Sequence, residues 1–152
     1  FEEMGVLSRV EVMSRYEVII EHYAKVLHIE AMTMLEMANK QLIPAATAYM
    51  SDVASAAAAK MAVSEKLSCK AENKVLEKLS AATDAMSDAV DALDAALESA
   101  ESETDSLEKA KAYRDKVLPA MADLRTAADA AEVVCGEDYW PLPSYSKMLY
   151  YV

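Results

Sequence analysis

Carboxylates are the residues most densely placed for chemistry in this sequence. Nine of them stand between Leu79 and Glu108, with no Lys or Arg among them. Carboxylates hold a divalent metal when they converge from several helices and further hydrogen bonds orient each one. Here Asp84, Asp88, Asp91, Asp94, Glu98 and Glu101 recur every three or four residues, which is one stripe of one helix. A solvated face explains that spacing better than a metal site.

The other reactive side chains are sparse. A di-iron helical bundle needs Glu-x-x-His, but the residues three before His22 and His28 are Ile19 and Lys25. Glu21 and His28 share a helix face, and one such pair reads as a surface hydrogen bond or packing detail rather than a ligand set. His-Glu-x-x-His, a Gly-rich phosphate loop and a nucleophile elbow are all missing. Gly5 and Gly136 are the chain's two glycines, too few for a phosphate-cradling loop. Cys69 and Cys135 stand far apart and unpaired by any metal-site spacing, so reduced thiols are expected. Among ten methionines, Met32, Met34 and Met37 cluster. Such a cluster can form an adaptable groove, but Met32 falls between apolar positions, and core filling is expected. No catalytic, cofactor-binding or metal-ligating residue is assigned.

The elements that would position these groups are helices. Val12, Tyr16, Ile19, Tyr23 and Val26 follow a 4-3-4-3 spacing, with Ser8 and Glu11 placed as a capping box. A second stripe runs through Ala31, Leu35, Ala38, Leu42, Ala45, Tyr49, Val53 and Ala56, and a break or phase shift is expected near Val26 to Glu30. Ser64 and Ser68 mark a connection. Leu79, Ala82, Met86, Ala89, Leu93, Ala96 and Ala100 form the apolar face of a third helix, about half a turn from its acidic face. Asp105 and Glu108 open a fourth helix, whose buried stripe is Val117, Met121, Leu124, Ala128 and Ala131, and Gly136 is expected to stop it. Pro44 and Pro119 fall inside these patterns, either kinking a helix or occupying the first turn of a new one. Long segments with short joints predict an all-α fold, an elongated antiparallel bundle. Residues 1–152 read as one helical domain, with a body at 1–134 and a strap at 135–152.

Composition agrees. The chain has 152 residues, 54% of them hydrophobic, including 29 alanines and only ten aromatics. Alanine-rich seams suit closely packed helices rather than a large aromatic core. A net charge of −11 repels phosphate backbones and anionic lipid, so nucleic acid and membrane partners are not expected. No apolar run reaches spanning length.

The strap breaks the pattern. "EDYWPLPSYSKMLYYV" holds one tryptophan, four tyrosines and two prolines. Proline after Trp140 and again at 143 predicts an extended tail. Tyr139, Trp140, Pro141, Pro143 and Tyr145 are the candidate docking residues. They either fold back to staple the bundle or anchor the chain on another domain or subunit, and both can hold.

Both ends carry a family likeness. "FEEMGVLSRVEVMSRYEVIIEHYAKVLHIEAMTMLEMANKQLIPAATAY" resembles the start of the C-terminal region of type III glutamine synthetases, chiefly through "SRYE", "IEAMTMLEMA" and "IPA". "YRDKVLPAMADLRTAADAAE" followed by "DYWPLPSYSKMLY" is similar to the same family's ending. The resemblance implies a parent enzyme of the cytoplasm, found largely in bacteria. Such enzymes join ammonia to glutamate with ATP and Mg or Mn, and work as ring-shaped homo-oligomers. It implies a catalytic domain upstream of Phe1 that holds the reactive residues, so none is carried over to this chain. The absence of an initiator Met is what an excised C-terminal domain would show. The expected function is therefore non-catalytic, structural or in assembly, with the upstream domain and neighbouring subunits as partners and no cofactor in this segment. A stand-alone coiled-coil-like interaction module is the alternative.

Overall fold

The computed structural model of the chain describes residues 2, 4–143 and 145–149, with Tyr145 and Ser146 described by their backbone alone. Every regular element among them is a helix. The first, α1 (Arg9–Met37), starts where the sequence places it. The Ser8 hydroxyl accepts from the Glu11 amide at 3.3 Å, and the Glu11 carboxylate accepts from the Ser8 amide at 2.8 Å. No break occurs at Val26 to Glu30. The helix runs on, and what changes there is the face that meets the bundle: Ala24, Leu27, Ala31 and Leu35 are buried, whereas Tyr16, Ile19, Tyr23 and Val26 are exposed.

Both internal prolines are absorbed in the same way. A five-residue π-helical segment, Ala38–Leu42, leads from α1 into α2 (Ile43–Val63). A second, Tyr113–Val117, leads from α4 (Ser106–Ala112) into α5 (Leu118–Glu132). The amide just before each proline bonds five residues back, Ile43 to the Ala38 carbonyl and Leu118 to that of Tyr113. The wider turn opens the helix where a proline ring would crowd the carbonyls of Lys40 and Asp115. Pro44 and Pro119 then stand at the starts of α2 and α5, where a missing N–H costs little.

The π turn also resets the buried face. A regular helix would continue the stripe through Ala45, Tyr49 and Ala56. Instead Ala46 and Ala57 are buried and Met50 packs against the core, a shift of one residue, or about 100°. Tyr49 is thereby released to meet the C-terminal strap.

The third long element, α3 (Lys70–Glu101), buries Leu79, Ala82, Met86, Val90, Leu93, Leu97 and Ala100. Its connections at 64–69 and 102–105 are short, so the chain runs up, down and up again. A Lys60–Glu72 ion pair clasps one turn, and Lys109 meets Glu101 at 3.2 Å beside the other. Asp105 caps α4 by accepting from the amides of Leu107 and Glu108 at 3.1 and 3.0 Å. In the middle, α3 packs on α2 and α5. Tyr113, Leu79, Met86, Leu93 and Val117 are the most fully enclosed large side chains of the bundle. The outcome is the all-α antiparallel bundle that the periodicity predicts.

Candidate functional site

The strap returns to the bundle. After α5 the amides of Val134 and Cys135 bond back to the Ala131 carbonyl at 3.1 and 2.9 Å. Gly136 does not end the helix by a left-handed turn, since the only positive φ among the described residues is at Gly5. Space selects it instead: a Cβ there would lie 3.1 Å from Cε2 of Tyr49. The Gly136 carbonyl accepts from the amides of Tyr139 and Trp140 at 3.0 and 3.1 Å. That loop turns both rings inward.

Tyr139 packs its ring against Tyr49, centroids 5.1 Å apart, and donates its phenol proton to Asp52. The hydrogen bond to the carboxylate pushes the Tyr139 pKa up. Trp140 is only 8% exposed and joins Leu142 along a cleft of about 280 Å³ lined by Met34, Met37, Leu42 and Leu124. Pro141 and Pro143 face outward. The tail is not extended throughout, because Tyr145–Leu149 forms a short helix, α6, that the prolines hid from the sequence. The Tyr145 side chain lies outside the described residues. Of the five candidate docking residues, then, Tyr139 and Trp140 are brought together against α1, α2 and α5.

A polar cluster sits where α1, the end of α3 and the second π-helical segment meet. Tyr113, fully buried, donates its phenol proton to Glu101 at 2.5 Å, and Nδ1 of His28 lies 2.9 Å from the same phenol oxygen. The phenol has one proton and gives it to Glu101, so His28 serves as the donor through Nδ1. Tyr113's hydrogen bond, and behind it Lys109, holds the Glu101 carboxyl below its ordinary pKa. Burial, and then Glu101 itself, push the Tyr113 pKa well up. His28, Glu101 and Lys109 edge an open cleft of about 450 Å³ that also includes Glu21, Lys25 and Thr104, with Tyr113 buried behind them.

Glu21 does line that cleft, but it pairs with Lys25 at 3.2 Å rather than with His28. Tyr113, 85 residues from His28, gave no local spacing to detect. Along α3, Asp84, Asp88, Asp91, Asp94 and Glu98 face solvent, and no grouping of three or more His, Cys, Asp or Glu placed to hold a metal occurs among the described residues. Met32 is not core filling: it is 49% exposed, while Met34 and Met37 line the Trp140 cleft. Both cysteines are free, and burial raises the Cys135 thiol pKa. No helix among the described residues is long and apolar enough to cross a membrane.

Known proteins similar to this chain share one description. A family model described as "Glutamine synthetase C-terminal domain" matches residues 1–61. A glutamine synthetase of Butyrivibrio fibrisolvens is 35% identical over 150 residues, covering 99% of this chain and 21% of that protein. A type-3 glutamine synthetase of Dictyostelium discoideum is 26% identical over 154 residues, with the same two coverages. The chain thus spans about a fifth of the length of the curated relatives it matches. The chain is thus similar from end to end to glutamine synthetases, one of them a type-3 enzyme, and its first 61 residues match the family's C-terminal domain.

Proposed function

We propose that this chain is a non-catalytic helical domain of a glutamine synthetase, and that its role is structural, in bracing or assembling the enzyme. The observation that carries this reading is the 35% identity to a glutamine synthetase across 99% of the chain, while only 21% of that relative is covered. The parent reaction is the ATP-dependent condensation of ammonia with glutamate, supported by Mg or Mn bound outside this segment. Its partners are the upstream catalytic domain and the neighbouring subunits of a cytoplasmic homo-oligomer. Residues 1–134 form the helical body and 135–152 the strap that closes it.

The test is a comparison of a full-length protein carrying this chain with the 152-residue chain alone. Only the full-length protein should form glutamine from glutamate, ammonia and ATP. Glutamine formation by the segment alone would overturn the non-catalytic assignment. The stand-alone interaction module is favoured by one observation, the exposure of Tyr16, Ile19, Tyr23 and Val26 in the 4-3-4-3 stripe of α1. A reading frame that opens just before Phe1 would decide for it.

A further inference from the structure

From Arg9 to Tyr23, about four turns, α1 buries no residue, and its first buried side chain is Ala24. The stretch is nonetheless apolar on one side. Val12, Tyr16, Ile19, Tyr23 and Val26 have the alternating spacing of a helix-pairing seam. Ile19 is 67% exposed, Tyr16 43%, and Tyr23 and Val26 38% each. Helical geometry sets this seam roughly 100° round the axis from Ala24, Leu27, Ala31 and Leu35. One continuous helix therefore carries two apolar faces, of which the bundle covers one.

Local interactions help to hold this stretch helical: the Ser8–Glu11 capping box at its start and the Glu21–Lys25 pair near its end. Arg9, Arg15 and Lys25 balance Glu11, Glu17 and Glu21, so residues 9–26 are neutral within a chain of net charge −11. Neutrality spares a docked partner the net repulsion that the rest of the chain's charge would exert.

A second copy of the chain suits the seam poorly. Two molecules of charge −11 repel. The remainder of the enzyme suits it better. The relatives are about five times as long as the matched region, and the matched domain is their C-terminal one. Their remaining polypeptide therefore joins at the α1 end. A tethered partner acts at an effective concentration in the millimolar range, so a five-residue seam suffices.

We propose that the Tyr16–Ile19–Tyr23 face of α1, rather than the aromatic strap, is the surface that docks into an apolar groove of the region preceding this domain. The proposal rests on the reading of the chain as a domain of such an enzyme. Amide hydrogen exchange over residues 9–26 tests it, in a full-length protein carrying this chain, in the 152-residue chain, and in Ile19→Ser/Tyr23→Ser versions of both. Exchange in the full-length protein should be at least ten-fold slower than in the chain alone. The double substitution should abolish that difference while leaving the melting temperature of the 152-residue chain unchanged. Equal exchange in the two wild-type proteins would overturn the proposal. So would a concentration-dependent dimer of the 152-residue chain that the substitutions dissolve, since the occupant would then be a second copy. A wild-type full-length protein without glutamine-forming activity would overturn the underlying enzyme reading instead, and the exchange data keep the two failures apart.

Discussion

At Tyr113 one phenol ties three helices together, touching His28 of α1 and Glu101 at the end of α3 from a buried position beside α4. Tyr113→Phe keeps the ring and removes the bridge. We expect it to cost about 1 kcal/mol at neutral pH, because a hydrogen bond to a charged group is worth more than that but Glu101 is half exposed. The pH dependence identifies the cause. Folding lowers the Glu101 pKa below its ordinary 4.5, so near that pH the unfolded chain binds the proton more readily. The contact's contribution is complete above pH 4.5 and is lost as the pH falls through the folded value. Thermal melts of wild type and Tyr113→Phe should therefore differ fully at pH 7 and converge in strong acid. A constant gap across that range would assign the loss to packing. Gly136 makes a separate claim at this scale. A methyl group there meets the Tyr49 ring at 3.1 Å, so Gly136→Ala should lower stability by about 1–2 kcal/mol. Pairing it with Tyr49→Leu should recover part of the loss.

At the scale of elements, the two π turns explain where sequence periodicity succeeds and where it slips. Leu79, Met86, Leu93 and Ala100 were legible because α3 is regular throughout. Ala46 and Ala57 were not, because a π turn before Pro44 adds a residue that a 3.6-residue repeat cannot register. Tyr113 and its partners were hidden for a different reason: their contact is set by tertiary placement, and no spacing along the chain encodes it. The capping residues Ser8 and Asp105 were legible because their chemistry is local. The coupling of π turn to proline is open to experiment. Deleting Gln41, an exposed residue of the first π segment, should convert it to a regular turn and set Pro44 in a helix interior, at a cost of about 3 kcal/mol. Deleting Gln41 together with Pro44→Ala should recover most of that stability in chemical denaturation. Equal losses in the single and double variants would show that the π turn serves something other than the proline.

For the molecule as a whole, two apolar features face opposite fates. The strap carries Trp140 into a cleft between α1 and α5, whereas the α1 seam stands in solvent. Burial of that indole is an intramolecular gain available to the chain alone, and Trp140→Ala should cost it about 3–5 kcal/mol. Trp140→Phe keeps most of the apolar contact. It also removes an indole N–H that is buried without a hydrogen-bond partner among the described residues, so it should cost less than half as much. Ile19→Ser, by contrast, removes a side chain that touches little, and surface changes of that kind stay within about 0.5 kcal/mol. Melting the three variants of the 152-residue chain side by side thus separates stapling from docking: a large loss at Trp140 with none at Ile19 means the strap belongs to the bundle's own stability. If Trp140→Ala instead left the melt unchanged, the indole would contribute nothing to the isolated fold. The strap would then have to be reconsidered as the docking element, with the α1 seam as an incidental surface stripe.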